Sequence, residues 1–376
     1  MMNILIFSWR GPEHPNAGGA EISTHEHAKG WVKAGHNVIL FTSAFAGCKR
    51  EEIKDGVKII RQGKQILGVQ WEAFKWYMFG NHPDFDLVID QFHGIPFFTP
   101  IFVRARKLGF IHEVTKEVWK LNSWKRPLNL LPAILGTFFE PIIFKLFYTR
   151  ISFMTVSDST RQDLVEWGIP PNKITVVYNG LNAPKKIKKV KENKKTLIFL
   201  GALSKDKGIE DALKTFKLID EIEKNKWQFW VVGKSDPRYL KELKIQSKNL
   251  GIQKKVVFWG FVSEDRKFDL LSRANIALNP SIREGWGLVV IEAAALGVPT
   301  VSYNAPGLRD SIINGRTGII CSVNNTKSMA EAILNLANNL DRYKKMSRNG
   351  ILWSRKFSWE KSIKSSLKLI KNTYEI

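Results

Sequence analysis

The alternation of apolar and polar positions divides the first half of the chain into short strands and longer helices. Residues 4–7 and 38–42 are apolar runs typical of buried strands, and residues 20–34 between them are typical of a helix that Gly35 ends. Further strand ends are predicted at 86–90, 109–112 and 153–157. A strand, a helix and a strand within about 40 residues predict a βαβ unit with a right-handed parallel crossover.

The same alternation starts again at Thr196. A strand over 197–200, a glycine turn and a helix over 209–223 come first, and later strands are predicted at 229–233, 256–259, 276–280 and 300–303. We therefore predict two doubly wound α/β domains, 1–184 and 196–357, joined by a basic linker at 185–195, with a helix over 358–376. Two such domains leave a cleft at the carboxyl ends of their strands, where ligands bind.

Composition narrows the class of protein. The 376 residues suit two domains, and 44% hydrophobic and 25% charged residues are ordinary for a globular chain. Cys48 and Cys321 cannot form a disulfide framework, and the apolar start is too short for a signal peptide, so we expect a cytoplasmic protein. The net charge of +23 favours anionic partners. It leaves a nucleic-acid-binding protein open as an alternative, although no nucleic-acid module is recognisable.

The most apolar segment is 128–148, which prolines and the charged Glu140 and Lys145 interrupt. For that reason we expect no membrane-spanning helix. Two interpretations stay open, and the prolines favour the first, a helix in the core. The second is a surface that rests on an anionic membrane through the segment and nearby residues. Those residues are Trp119, Trp124, Lys125 and Arg126.

Two glutamates between residues 280 and 301 give the strongest chemical signal. Glu284 precedes Gly285 and Gly287 in a tight loop, whereas Glu292 lies in the apolar helix that follows. A helix N-terminus presents unpaired N–H groups and a positive partial charge, so it binds phosphate. A carboxylate in such apolar surroundings needs a partner, which ribose hydroxyls would supply for Glu292. The segment predicts a site for an anionic, sugar-like ligand.

Three weaker signals lie elsewhere. Gly18 and Gly19 precede the first helix, where glycines let backbone N–H groups approach a phosphate. Lys205 and Lys207 lie in the turn before a helix of the second domain, where lysines suit a diphosphate. His112 ends a strand at the edge that faces the cleft, although a lone histidine is more often structural.

Together these motifs resemble those of the retaining glycosyltransferases of the group-1 type (family 4), which have the GT-B fold of two facing Rossmann-like domains with an interdomain cleft. The resemblance covers nearly the whole chain, and its most specific part is the pair of glutamates with residues 297–301 after them. It implies transfer of a sugar from a nucleoside-diphosphate sugar to a glycan or lipid-linked acceptor, without a metal or another cofactor. It also implies that the terminal helix returns to the first domain.

The resemblance implies a role for each candidate residue. Glu284 would lie near the transferred sugar, His112 would contact that sugar and stabilise the transition state, and Glu292 would hold the ribose. The other donor-binding residues would be Gly18, Gly19, Lys205, Lys207, Gly285, Gly287 and Leu288. The chain departs from the family at Ala202, where an arginine is usual, and the candidate replacements are Lys205, Arg283 and Arg10.

Alternatives to this assignment remain. A nicotinamide dehydrogenase is the nearest rival enzyme class, but its glycine fingerprint is absent. An inactive member of the family is a further alternative because of Ala202. For the acceptor, we prefer a polyprenyl-linked glycan, reached by peripheral attachment to the cytoplasmic face of a membrane. The sequence indicates neither the base nor the sugar of the donor.

Overall fold

The computed structural model describes residues 1–121, 130–184 and 192–375. The chain forms two compact units, Met1–Gly180 with Ser358–Ile376, and Leu181–Phe357. Trp124, Lys125, Arg126 and most of the predicted basic linker lie outside the described residues, and Lys195 already begins a strand. Each unit contains a sheet of parallel strands with helices between them, which confirms the predicted α/β class.

The first unit is built on an eight-stranded sheet in the order β3-β4-β2-β1-β5-β6-β7-β8. Its strands are β1 (Asn3–Ser8), β2 (Asn37–Thr42), β3 (Glu51–Lys54), β4 (Val57–Arg61), β5 (Leu87–Gln91), β6 (Arg106–Ile111), β7 (Ser152–Thr155) and β8 (Ile174–Val176). All neighbours are parallel except β3 and β4, a hairpin that the sequence analysis missed. Its turn, Asp55-Gly56, has positive φ at both residues, as a two-residue hairpin turn of type I′ requires.

Helices cover the first sheet and connect its parallel strands. They are α1 (Gly19–Lys33), α2 (Gly68–Phe79), α3 (Thr99–Phe102), α4 (Leu130–Ile143) and α5 (Asp158–Glu166), and a π-helical turn (Phe144–Tyr148) extends α4. The central strands are apolar and buried along nearly their whole length, as expected when helices pack on both faces of a parallel sheet.

The second unit has a six-stranded parallel sheet in the order β11-β10-β9-β12-β13-β14. Its strands are β9 (Lys195–Leu200), β10 (Trp227–Val232), β11 (Val256–Gly260), β12 (Ile276–Asn279), β13 (Thr300–Ser302) and β14 (Gly318–Ile320). Its helices are α6 (Ile209–Ile222), α7 (Pro237–Asn249), α8 (Glu264–Arg273), α9 (Leu288–Ala295), α10 (Leu308–Ser311), α11 (Thr326–Ala337) and α12 (Leu340–Ser354). Its main core is buried between the sheet and helices that include α6 and α11.

The C-terminal helix (Trp359–Glu375) packs on α1 of the first unit. The buried Ser366 hydroxyl lies 2.9 Å from both His27 Nδ1 and Trp31 Nε1. The absence of a side chain at Gly30 lets the two helices approach closely, because a Cβ there would lie 2.5 Å from Ile363 Cγ2. The hydrogen bonds and the close contact together fix the C-terminal helix on this surface.

The apolar segment 128–148 corrects the sequence analysis. Leu130–Tyr148 has a mean hydropathy of 1.7, and only 17% of its most apolar window is buried. Most of the helix is therefore at the surface, so the preferred interpretation as core is wrong. Within the described residues, this helix is long and apolar enough by length and composition to cross a membrane, so its interruptions alone do not exclude a span.

The contact at Gly30 gives a test of helix packing. Alanine has a higher helix propensity than glycine by about 1 kcal/mol, but overpacking costs about 1–3 kcal/mol. We expect Gly30→Ala to lower the free energy of unfolding because the clash with Ile363 outweighs the gain in propensity. Chemical denaturation followed by circular dichroism measures the change.

Gly350→Ala is the matched control. Gly350 also lies inside a helix, and the nearest neighbour of its added Cβ is 3.4 Å away, an ordinary van der Waals distance. This variant should be neutral or more stable than the wild type. Equal effects of the two substitutions would show that the close contact at Gly30 does not limit the packing of the C-terminal helix.

Candidate active site

The candidate site of the second unit lies where the strand order reverses. β9 and β12 are neighbours, but β10 and β11 continue to one side of them and β13 and β14 to the other. The loops after β9 and β12 therefore lead away in opposite directions, and ligands of open α/β sheets bind at such a point. The first loop contains Lys205 and Lys207, and the second contains Glu284, Gly285 and Gly287.

Lys207 and Glu284 form an ion pair across these two loops. The lysine Nζ lies 3.1 Å from Glu284 Oε2 and donates a 3.3 Å hydrogen bond to the Arg283 carbonyl. Ser281 Oγ donates to the other carboxylate oxygen at 2.7 Å. The structure thus brings together two residues that the sequence analysis proposed separately, and it adds Ser281, which the analysis missed although it lies three residues before Glu284.

Two glycines make this geometry feasible. Gly208 has a φ of 69°, and a Cβ there would lie 2.2 Å from the Pro280 carbonyl oxygen, so the two loops touch through backbone. Gly287 has a φ of 74° and caps α9, which begins at Leu288. The first N–H groups of an α-helix have no acceptor within the helix. The Gly287 turn therefore presents the start of α9, with its positive partial charge, on the loop that contains Glu284.

Glu292 has a protein partner that the sequence analysis did not find. Lys267 Nζ on α8 lies 2.7 Å from Glu292 Oε1, and the two side chains are only 14% and 13% exposed. Burial raises the pKa of the Glu292 carboxyl, and Lys267 opposes that shift. Ribose hydroxyls are the predicted partner of this carboxylate, and the structure adds Lys267 beside it. Because Lys267 follows Glu264 by three residues, the sequence pattern is that of a solvent-exposed helix pair.

Gly18 and Gly19 lie in the first unit, after β1, next to the reversal of strand order between β1 and β5. The N–H of Gly18 donates a 2.7 Å hydrogen bond to Glu21 Oε2, and Gly19 is the first residue of α1. The buried Glu21 also binds Arg10, whose Nε lies 2.8 Å from Oε1. The carboxylate of Glu21 thus holds both Gly18 and Arg10 in this loop.

His112 directly follows β6, which neighbours β5. It is 8% exposed, and its Nε2 has no hydrogen-bond partner among the described residues. Burial lowers its pKa to about 3, with smaller contributions from His27 and His93, so the ring is neutral near pH 7. Leaving a buried polar atom unpaired is costly, so this Nε2 is a candidate contact for a ligand.

The three candidates to replace the arginine expected at Ala202 differ in position. Ala202 and Lys205 are both exposed on the turn after β9. Arg283 is buried at 3% exposure, and Arg10 is held by Glu21 in the first unit. Of these three candidates, Lys205 is the one that lies on the same turn as Ala202 and is exposed to solvent.

Comparison with known families matches both units. The model described as "Glycosyltransferase Family 4" matches residues 17–184, and the model described as "Glycosyl transferases group 1" matches residues 182–353. An uncharacterized glycosyltransferase of Haemophilus influenzae is 30% identical over 65% of this chain and 67% of its own length. One from Methanocaldococcus jannaschii is 32% identical over 49% of this chain. The chain spans about half the length of that protein (50%) and of a second from the same organism (52%).

Solved structures share the fold over the whole chain. Sucrose-phosphate synthase from Thermosynechococcus elongatus has a TM-score of 0.81 and 18% sequence identity, and each chain is covered fully. HepE of Anabaena, solved in complex with UDP and glucose, has a TM-score of 0.72 and 16% identity over 99% of this chain and 100% of its own. At these identities the similarity concerns the fold.

The Lys267–Glu292 pair leads to a prediction about stability. Lys267→Met leaves Glu292 in apolar surroundings without its cation. Because both side chains are slightly exposed, we expect the free energy of unfolding to fall by about 2–3 kcal/mol at pH 8. This is less than the loss expected when a fully buried pair is broken. Without Lys267, the folded pKa of Glu292 lies above its unfolded value. The loss should therefore be small below the unfolded pKa and grow as the pH rises through the folded pKa.

Chemical denaturation at pH 5 and at pH 8, in which the unfolding transition of the second unit is followed, measures this pH dependence. The double variant Lys267→Met/Glu292→Gln removes both charges and should recover most of the stability at pH 8. An equal loss at both pH values, or no recovery in the double variant, would show that Lys267 stabilises α8 by packing rather than by its charge.

Proposed function

The chain belongs to the group-1 and family-4 glycosyltransferases, and from that premise we propose that it is a retaining enzyme that uses a nucleoside-diphosphate sugar. It transfers the sugar to a glycan or lipid-linked acceptor and needs no metal. The observation that carries the proposal is the site at the strand reversal of the second unit. There Lys207, Glu284 and the N-terminus of α9 meet on two adjoining loops.

The chemistry of the donor explains this arrangement. Departure of a nucleoside diphosphate builds negative charge on the oxygen that leaves the sugar. The ammonium group of Lys207 and the N–H groups at the start of α9 stabilise that charge, and such preorganised groups are usually the largest catalytic contribution. Glu292 binds the ribose through its carboxylate, which Lys267 holds in place.

The remaining two candidates act on the sugar. Glu284 accepts hydrogen bonds from sugar hydroxyls or supports the positive charge that develops at the reacting carbon. His112 donates or accepts a hydrogen bond through its unpaired Nε2 as a neutral ring, consistent with its pKa of about 3. The acceptor attacks from the face that the diphosphate leaves, and the departing phosphate takes its proton.

The preferred acceptor is a polyprenyl-linked glycan, and the preferred location is the cytoplasmic face of a membrane. The exposed apolar helix Leu130–Tyr148 supports this part of the proposal, because it offers lipid a surface on the first unit. A soluble glycan acceptor would leave that surface without a role.

A donor screen tests the proposal. HepE, which shares the fold, was solved with UDP and glucose, so UDP-glucose is the first donor to try. Other nucleotide sugars form the rest of the panel, with NAD as a rival ligand. A matching donor should raise the melting temperature, because at 100 times its dissociation constant it stabilises the folded protein by about 2.7 kcal/mol.

Two further measurements test the mechanism. If the enzyme is retaining, NMR should show the same anomeric configuration in the product as in the donor. If no metal is needed, excess EDTA should leave the reaction rate unchanged.

The two lysines of the first loop give a matched pair of variants. We expect Lys207→Ala to reduce kcat/KM about 100-fold, because a preorganised cation at the leaving group is lost. Lys205→Ala should have a smaller effect, confined to donor affinity, since Lys205 lies exposed on the turn. Steady-state kinetics with the donor found in the screen measures both. A larger loss for Lys205→Ala would assign the diphosphate to Lys205.

Variants of the two sugar-contacting residues test their roles. Glu284→Gln and His112→Ala should each lower kcat about 100-fold or more while calorimetric affinity for the free nucleotide changes little. Because His112 is neutral above its pKa of about 3, the His112→Gln variant should keep the wild-type shape of the pH profile between pH 5 and 8. Glu331→Gln, an exposed change on α11, is the control. Nucleotide binding without transfer in any wild-type assay would identify an inactive family member.

A further inference from the structure

The outer side of α4 is an uncharged surface. Leu131, Ile134 and Phe138 are 57%, 64% and 62% exposed. Phe139 is 47% exposed, and Leu146, in the π-helical turn after α4, is 68% exposed. Side chains of this size are normally buried, and monomeric proteins rarely expose a contiguous set of them without an interaction. Leu131, Ile134 and Phe138 lie three or four residues apart and therefore share one side of the helix.

The charged residue within α4 is turned away from this surface. Glu140 is 3% exposed, and its carboxylate accepts hydrogen bonds from Thr115 N at 2.9 Å, Lys116 N at 3.2 Å and Trp119 Nε1 at 2.8 Å. Burial raises the pKa of this carboxyl, while those donors oppose the shift. The glutamate therefore serves the interior of the unit, and the outer surface from Leu130 to Phe144 presents no charge.

Aromatic contacts continue the surface onto two other helices. The ring of Phe147 lies 6.0 Å from that of Phe98, beside α3, and Phe102 of α3 lies 5.1 Å from Phe74 of α2. Around these contacts Ile101 is 63% exposed and Phe79 78% exposed. We call the exposed apolar residues of the three helices the apolar face. Its six most exposed members are Trp71, Phe79, Ile101, Ile134, Phe138 and Leu146.

The inner side of the same helix prevents it from standing across a bilayer. Phe144 and Tyr148 are 1% and 0% exposed in the core of the first unit, and the Tyr148 hydroxyl donates a 2.7 Å hydrogen bond to the buried Asp90. Pro141 and the π-helical turn also break the regular helix near its end. The helix can therefore present only one side to lipid, which is the geometry of monotopic attachment.

Basic residues flank the three helices along the chain. Lys64 precedes α2, Arg104 and Arg106 follow α3, and Lys145 and Arg150 lie near the end of α4, all with exposed side chains. The acidic Glu72 of α2 is paired with Lys75. An apolar centre with basic flanks complements a membrane leaflet that has an acyl interior and anionic head groups. It complements a protein partner less well, because the charges would need matching acidic groups at each position.

We propose that the apolar face inserts into the outer acyl region of one leaflet of an anionic phospholipid bilayer. Burial of apolar side chains supplies most of the binding free energy, and attraction between basic residues and anionic head groups supplies the rest. A basic surface that only rested on the head groups would depend on the electrostatic attraction alone. It rests on the proposed function in one respect, since a lipid-linked acceptor is what makes membrane attachment useful. The binding itself does not require the reaction.

Flotation of the full-length protein with vesicles tests the proposal. The wild type should float with vesicles of phosphatidylcholine and phosphatidylglycerol, and a substantial fraction should still float in about 1 M salt, where electrostatic attraction is screened. The double variant Ile134→Ser/Phe138→Ser should reduce the partition coefficient at least about tenfold, since it removes two large apolar side chains from the acyl region. Phe79→Ser on α2 should reduce it to a smaller degree.

Phe261→Ser is the matched control, because Phe261 is 81% exposed but belongs to the second unit. It should float like the wild type. The proposal is overturned if the wild type fails to float, or if about 1 M salt releases it completely. It is also overturned if alkaline carbonate fails to extract it, which would indicate a spanning helix. Concentration-dependent dimers in lipid-free buffer that disappear in the double variant would assign the face to a second copy of the chain.

A parallel assay separates this inference from the proposed function. Nucleotide-sugar binding measured by calorimetry without lipid should be equal in the wild type and in Ile134→Ser/Phe138→Ser, which also shows that the variant is folded. Flotation without donor binding would contradict the proposed function alone. Donor binding without flotation would contradict the membrane inference alone.

Discussion

The strands β9 and β12 are hydrogen-bonded neighbours, but the loops that follow them lead away in opposite directions. The chemistry of the second unit depends on that divergence. Crossover helices cover the ends of strands that follow each other, but they cannot cover the point where the order reverses. The loops after these two strands therefore come into direct contact, with Gly208 against the Pro280 carbonyl. Lys207 and Glu284 form their ion pair as a result of this contact, and α9 begins beside it.

Sequence reasoning succeeded for features that depend on neighbours in the chain. The start of α9 follows from the Gly287 turn and the apolar run after it, and both are local. Lys267 was missed because its role depends on the packing of α8 against α9, whereas its sequence shows only an ordinary pair with Glu264. Similarly, ribose was inferred as the partner of Glu292 from the need for a partner, and the sequence could not show that a lysine lay within reach.

The segment 128–148 shows why hydrophobicity alone could not decide between core and surface. Core and bilayer both select apolar side chains, so composition is the same for the two environments. The prolines suggested core, but the structure places Pro141 where α4 passes into the π-helical turn. What decides between core and surface is the direction in which each side chain of the helix points. Glu140 bonds inward to the backbone at Thr115 and Lys116, and the apolar side chains on the opposite side are exposed.

The ion pair at the strand reversal also has a consequence for how the donor binds under the proposed function. Lys207 and Glu284 are 21% and 17% exposed, and partly solvated pairs of this kind contribute about 1 kcal/mol or less. A diphosphate carries more charge than the carboxylate and also bonds the N–H groups of α9, so it displaces Glu284 from Lys207 at small cost. The displaced carboxylate keeps its bond to Ser281 and becomes available to the sugar. Under the proposed function, the diphosphate part of the donor thus frees Glu284 for the sugar of the same molecule.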